Sequence, residues 1–336
     1  MGSQFTISKS SSPSVELVDP NVAINNQGQF VVTWFNIQNP QTNNPAISIH
    51  AQRFNFYLGK AQGTELTIGT SNIPGFEFFA QNNVGIDSNG DFVVVRESQN
   101  NVGDFIYAQV YNWSGSVKGN QITVASGNNN TTYVNFPTAS MDSKGDFVVA
   151  WHSQDAVTDS AMARRYNLAG TTTSNLITVV TGNVNTTFHL PDVAINSFGG
   201  FVVAWDQYDQ NVGDSIRAQQ YDSLAHVSGS AITVSQISNN FIGFAPSVAM
   251  NAVGDFVVTW FDASNSNNGS VYAHAYKPSG QSDGSQVTVA QGNSNSFNVI
   301  PAVAMNGADN FVVVWVNVVN INQSQKFNIL AQRYRN

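Results

Sequence analysis

The sequence predicts an all-β fold, a six-bladed β-propeller of four-stranded antiparallel blades, and three observations predict it. First, a unit typified by Val248 to Trp260, with Gly254, Asp255 and Phe256 at its centre, recurs six times in 336 residues. Its marker phenylalanines, Phe30, Phe92, Phe147, Phe201, Phe256 and Phe311, are 62, 55, 54, 55 and 55 residues apart. Second, each repeat holds four short runs rich in valine, isoleucine, threonine and aromatics, and none carries a sustained helical period. Third, the last repeat stops at Ala331 to Tyr334 without a fourth run, while a matching Phe5-Thr6-Ile7 stands at the other end of the chain. A ring in which residues 5–7 complete the last blade leaves no blade edge unpaired. One domain is expected over 1–336, with residues 1–4 a tag remnant and blades near 20–68, 82–124, 137–179, 191–234, 246–289 and 301–334 plus 5–7.

The elements follow in fixed order. The first strand is Val-Ala-Met/Ile-Asn, as in Val193 to Asn196 and Val303 to Asn306. A turn closed by glycine follows, such as Asp142-Ser143-Lys144-Gly145. Its Asx residue bonds its own backbone two residues on, and glycine supplies the positive φ. These turns lack the ligand count of a calcium loop. The second strand is Phe-Val-Val-x-Trp, as in Phe147 to Trp151. The third ends in Ala-Gln-x-Tyr, as in Ala218 to Tyr221, and the fourth is Ile-Thr-Val, as in Ile232 to Val234. This order predicts the first strand innermost and the fourth outermost. The long, irregular loops, such as His152 to Ser160 and Asp206 to Ser215, then gather on one face. Variable loops on a rigid scaffold are where binding usually sits.

Composition narrows the function classes. Charged residues are 10% and the net charge is −8. Nucleic acid, which needs a basic footprint, is therefore excluded as a partner, and an anionic membrane surface is disfavoured. The chain has no cysteine, which removes disulfides, thiol catalysis and thiolate metal sites. No apolar run of 18 residues is present, so membrane insertion is not expected.

The pattern Val-Ala-Met-Asn-x-x-Gly-Asp-Phe-Val-Val-x-Trp followed by Ala-Gln-Arg-Tyr, best seen at Val248 to Trp260, Val303 to Trp315 and Ala331 to Tyr334, resembles a repeat of large secreted or surface-attached bacterial proteins. The resemblance covers nearly the whole chain and implies an extracellular or cell-surface location. It implies no particular activity.

The candidate site residues fall in three groups. Trp34, Trp151, Trp205, Trp260 and Trp315 close the second strands. Packing between blades is the favoured reading, and a platform for sugar rings is the other. The second repeat departs from the rest, with Arg96 in place of tryptophan and Glu97 after it. Arg96 either pairs with Glu77 or Glu97 or binds an anionic ligand in bidentate fashion. Asp155, Asp159, Asp206, Asp209 and Asp214 gather in repeats three and four. They are either solvated loop acids or calcium ligands. His50, His152, His189, His226 and His274 fall at unrelated repeat positions, which argues against a three-histidine metal cluster. His152 near Asp155 reads as a base with its orienter, and no catalytic residue set is assembled. The expectation is a non-catalytic module that binds a glycan, with calcium the one candidate cofactor. The alternatives are a protein-interaction or structural scaffold that binds a surface protein, and a single-site hydrolase or lyase at the channel mouth.

Overall fold

The computed structural model describes residues 5–9, 12, 14–40, 46–55, 60–71, 82–99, 102–128, 131–183, 185–237, 245–263, 269–293, 295–307, 309–321 and 324–335. Among these residues there is no helix, and the strands form six antiparallel sheets, the blades of a six-bladed β-propeller. Blade 1 is Val15–Ile24, Gln29–Gln38, Ala46–Asn55 and Lys60–Ser71, and blade 2 is Asn82–Ile86, Phe92–Gln99, Asp104–Tyr111 and Val117–Ser126. Blade 3 is Thr132–Met141, Phe147–Asp155, Asp159–Tyr166 and Ile177–Gly182. Blade 4 is Thr186–Ile195, Phe201–Asp209, Gly213–Tyr221 and Val227–Ile237. Blade 5 is Ser247–Met250, Phe256–Asp262, Ser270–Tyr276 and Val287–Ala290. Blade 6 has three described strands, Ser296–Met305, Phe311–Ile321 and Ser324–Tyr334. The chain divides into two compact units, one ending at Val149 and taking in Tyr166–Thr172, the other Ala150–Arg165 and everything from Thr173.

Phe5-Thr6-Ile7 does not form the expected last strand. Residues 5–9 are not in any strand, and the Phe5 ring lies 5.5 Å from the Phe54 ring of blade 1. The aromatic contact, rather than strand pairing, holds this segment, and three β-favouring residues are too few to dictate a strand on their own.

The repeat motif is explained residue by residue. The marker phenylalanine stacks on the last aromatic of the third strand in all six blades: Phe30–Phe54, Phe92–Tyr111, Phe147–Tyr166, Phe201–Tyr221, Phe256–Tyr276 and Phe311–Tyr334. Ring centroids are 4.6–5.2 Å apart. Such a pair adds about 0.5–1.5 kcal/mol beyond the area it buries. The glutamine of Ala-Gln-x-Tyr fills a bulge between the third and fourth strands. Gln219 Nε2 donates to the Gln220 and Ser228 carbonyls where the register shifts between Ala218 and Gln220, and Gln52 does the same in blade 1. The residue after it ties one blade to the next: Arg53 donates to the Trp113 carbonyl, Arg165 to Ser223 and Gln220 to Pro278.

The Asx turns form as expected. Asp87 Oδ1 accepts from the Asn89 and Asp91 amides, Asp142 from Lys144 and Asp146, and Asn196 from Phe198 and Gly200. The following glycines, Gly90, Gly145 and Gly199, have φ of 86–92°.

A second device was not anticipated. Asp19, Phe136, Leu190, Ala245 and Ile300 each precede a proline and sit at φ of 47–57°. In blades 1, 4 and 6 the register shifts at this step, so the first strand carries a bulge there. Two residues on from Leu190 and Ala245 a side chain reaches the next blade: Asp192 Oδ2 accepts from Val248 N (2.8 Å) and Ser247 Oγ from Val303 N (3.3 Å), and in blade 2, which has no proline there, Asn83 Oδ1 accepts from Ala139 N (3.1 Å).

Burial pushes the Asp192 carboxyl up to about 6, against the amide bonds it accepts. Its folded value lies above its unfolded one, so protonation stabilises the fold. That contribution is complete below about pH 4 and is lost as pH rises through 6. Asp192→Asn keeps the acceptor for Val248, as Asn83 does for Ala139. Urea titrations are expected to show the variant more stable than wild type at pH 7.5, by on the order of 1–2 kcal/mol, with the difference shrinking toward pH 4.

Candidate active site

The unit that holds blades 4 to 6 also contains a cluster of ionisable side chains drawn from the end of blade 3 and from blade 4. Its logic starts from one repeat position, the residue after the second-strand tryptophan. In blades 1, 5 and 6 this residue is Phe35, Phe261 and Val316. In blades 2, 3 and 4 it is Glu97, His152 and Asp206. A residue near the start of the third strand, diagonally across, follows the same division: Ile47, Gly269 and Phe327 in the first set, Asp104, Asp159 and Asp214 in the second. Three successive blades thus replace apolar pairs with ionisable ones.

His152 and Asp159 share a hydrogen bond, Nε2 to Oδ1, of 3.1 Å, and both are buried. Asp159 Oδ1 also accepts from the Phe188 amide of blade 4 at 2.9 Å. The next residue, His189, lies with its ring centroid 5.7 Å from that of His152. Its Nδ1 is 3.9 Å from Asp206 Oδ2, and its side chain, 36% exposed, is the member of the cluster that reaches solvent. Asp206 and Asp214 are both about as buried as the core valines. Burial, and then the neighbouring Asp214, push the Asp206 carboxyl well above the usual carboxylate range. Burial, and then the His152 ring, hold the His189 imidazole below its ordinary value. Asp159 Oδ2, His189 Nδ1 and Asp206 Oδ1 are buried atoms without a hydrogen-bond partner. A buried polar atom left open is costly in a folded protein and marks a place where a ligand or a proton is expected.

The other acidic candidates go elsewhere. Asp155 is exposed, and its Oδ1 caps its own turn by accepting from Val157 N and Thr158 N. The orienter of His152 is therefore Asp159 and not Asp155. Asp209 bonds Thr186 Oγ1 and the Asn211 amide. Among the described residues no group of three or more His, Cys, Asp or Glu is placed to hold a metal ion.

Arg96 and Glu97 of blade 2 go to different partners. Arg96 lies over the Tyr107 ring, 4.7 Å from its centroid, and its Nη2 donates to Gln121 Oε1 at 3.2 Å. Glu97 accepts from the Phe136 amide, and burial pushes its carboxyl up to about 8. Glu77 lies outside the described residues. Trp34, Trp151, Trp205, Trp260 and Trp315 are 1–6% exposed, so they pack inside and present no ring face to a sugar.

No protein-family model matches the chain, and no curated protein matches it. Solved structures share its fold. A protein of unknown function from Dyadobacter fermentans aligns at a TM-score of 0.59 and 10% identity, over 96% of this chain and 95% of that one. The α-L-arabinofuranosidase of Fusarium graminearum aligns at 0.55 and 10%, over 96% and 93%. A polysaccharide lyase that acts on ulvan aligns at 0.57 and 12%, over 95% and 79%. These neighbours overturn the expectation of a non-catalytic, lectin-like binder: the characterised proteins built on this fold here are enzymes that cleave glycans. At such identities the likeness establishes the fold and leaves the chemistry to the site.

His152→Phe installs the residue found at this position in blades 1 and 5. In a histidine NMR titration, the wild-type His189 imidazole is expected to titrate below 6.5 and to move up toward that value in the variant.

Proposed function

We propose that the protein is a carbohydrate-active enzyme that cleaves glycosidic bonds, with His189 as its acid–base group. The observation that carries this reading is the cluster itself: one solvent-reaching imidazole backed by the buried His152, Asp159, Asp206 and Asp214, with the His189 imidazole held below its ordinary value and the Asp206 carboxyl pushed above its own. Pairs of titratable groups whose surroundings push them apart are the usual mark of acid–base machinery.

The chemistry follows from the two shifts. His189 is neutral at physiological pH and so is ready to accept a proton. Burial and the neighbouring Asp214 drive the Asp206 carboxyl toward its protonated form. A shift of about 1 Å brings His189 Nδ1 into hydrogen-bond range of Asp206 Oδ2. That bond would set the imidazole tautomer and leave Nε2 to withdraw a proton from water or from the substrate. Proton withdrawal from water leads to hydrolysis, and withdrawal from a sugar carbon leads to elimination. The fold neighbours include enzymes of both kinds, which supports the class without choosing within it. The low charge of the chain and the resemblance of its repeat to surface-protein repeats support an extracellular setting, where polysaccharides are met.

The test is turnover of a polysaccharide panel, followed by reducing-end release and by absorbance of unsaturated products. His189→Ala is expected to lower kcat/KM by about 10²–10⁴-fold on the substrate that wild type cleaves. In wild type the acid limb of the kcat/KM profile is expected below pH 6.5, because only neutral His189 is active. Absence of cleavage across neutral and acidic polysaccharides, or full activity of His189→Ala, would remove this reading.

A further inference from the structure

A second constellation lies in blade 1, in the other compact unit. Ser48 Oγ is 2.9 Å from His50 Nε2, and His50 Nδ1 is 2.6 Å from Glu65 Oε1. With the proton on Nδ1 donated to Glu65, Nε2 accepts from the Ser48 hydroxyl, which is the hydrogen-bond order of an activated serine nucleophile. Serine at this repeat position is ordinary, since Ser160, Ser215 and Ser270 match it. The other two members are peculiar to blade 1. The counterparts of His50 are Tyr107, Met162, Arg217 and Tyr272, and those of Glu65 are Gln121, Leu176, Ala231 and Gln286. The fold therefore does not require a histidine and a glutamate here.

An apolar cavity of about 150 Å³ lies on the His50 and Glu65 side of this constellation, with Ile7, Ser8, Leu17, Val18, Val32 and Trp34 among its lining residues. Two of its lining residues touch the constellation. The Trp34 ring stacks on His50 at 6.0 Å, and Ser8 Oγ donates to Glu65 Oε2 at 3.4 Å. The Trp34 indole Nε1 is buried without a hydrogen-bond partner, a donor free to meet a developing oxyanion. Ser48 and His50 are partly exposed, so a substrate can reach them.

We infer that blade 1 carries a second active site, a Ser48-His50-Glu65 esterase that hydrolyses small acyl esters. The cavity takes a short apolar acyl chain, and no basic side chain lines it to hold an acidic one. Ser48 Oγ attacks the ester carbonyl as its proton passes to His50 Nε2. The bond from the carbonyl carbon to the alkoxy oxygen breaks, and His50 returns the proton to the departing alcohol. Water then attacks the acyl-Ser48 ester and gives a proton to His50; the bond from the acyl carbon to Ser48 Oγ breaks, His50 returns the proton to Oγ, and the carboxylic acid leaves. The inference does not depend on the glycan-cleaving reading, because it shares no residue with the His189 cluster.

The experiment uses the full chain with p-nitrophenyl acetate and p-nitrophenyl butyrate, and a fluorophosphonate probe with peptide mapping. Wild type is expected to hydrolyse at least one ester, and the probe to label Ser48. Ser48→Ala and His50→Gln are each expected to lower esterase kcat/KM by about 10³-fold or more. Ser48→Ala should leave the melting temperature and any polysaccharide cleavage unchanged. Glu65→Gln, which preserves shape, should lower kcat and shift the pH profile with little effect on KM. Ester hydrolysis that survives Ser48→Ala, labelling at another residue, or no turnover by a wild type that melts cooperatively would each overturn the inference.

Discussion

Burial of the second strand governs the rest of this molecule. Phe92 to Val95, Phe147 to Ala150, Phe201 to Ala204 and Phe256 to Val258 are essentially inaccessible to water. A polar side chain placed on such a strand must find a partner or give up its charge, since an open, charged group there costs several kcal/mol. Three side chains on these strands show it. Trp315 Nε1 donates to Asn298, His152 is bonded to Asp159, and the Asp206 carboxyl is driven toward its neutral form. The constraint that makes these positions valine and phenylalanine in most blades is the same one that perturbs the titration of what replaces them.

Backbone groups are subject to it as well. Where blades meet, amide and carbonyl groups are satisfied by side chains of the neighbouring blade, Asp192 on Val248 and Arg165 on Ser223. The asparagines and aspartates of the turns and first strands are therefore not loop decoration. They are the reason that a chain with so few charges still pairs its polar groups.

Much of the fold was legible because it rests on local chemistry repeated six times. The Phe and Tyr of each repeat, its Asx turn and its glycine act within one blade, so the period exposes them. The proline bulge was present in the sequence as x-Pro ahead of five first strands. It resisted reading because a residue before proline is by itself biased toward extended backbone. Only pairing with the second strand holds Leu190 and Ile300 in the left-handed region. Phe5-Thr6-Ile7 has the composition of a missing strand, yet its place is decided by the Phe54 ring, which composition does not announce. The site was half legible. Asp159, Asp206 and Asp214 stand out as acids, but that they and His152 occupy two matching positions of successive blades shows only when the repeats are aligned by the position after tryptophan. His189 had no such signal, because its counterparts Val18, Asn135 and Val299 share nothing with it.

Repetition is what separates structural from chemical roles here. A residue that the fold requires recurs in every blade, as the stacked Phe–Tyr pair does. A residue that recurs in three blades and is replaced by phenylalanine or valine in the others is one the fold can do without. His152 and Asp206 are such residues, since their counterparts Phe35 and Phe261 fill the same buried position. His50 likewise stands where other blades carry tyrosine, methionine or arginine, and Glu65 where they carry glutamine, leucine or alanine. Buried ionisable groups are destabilising unless paired, so an apolar replacement that sister blades already carry is sterically available and less costly. Their retention is then explained by the proton chemistry that an apolar pair cannot supply, and the cost falls on stability at neutral pH, where burial disfavours the charge that Asp206 would carry in water.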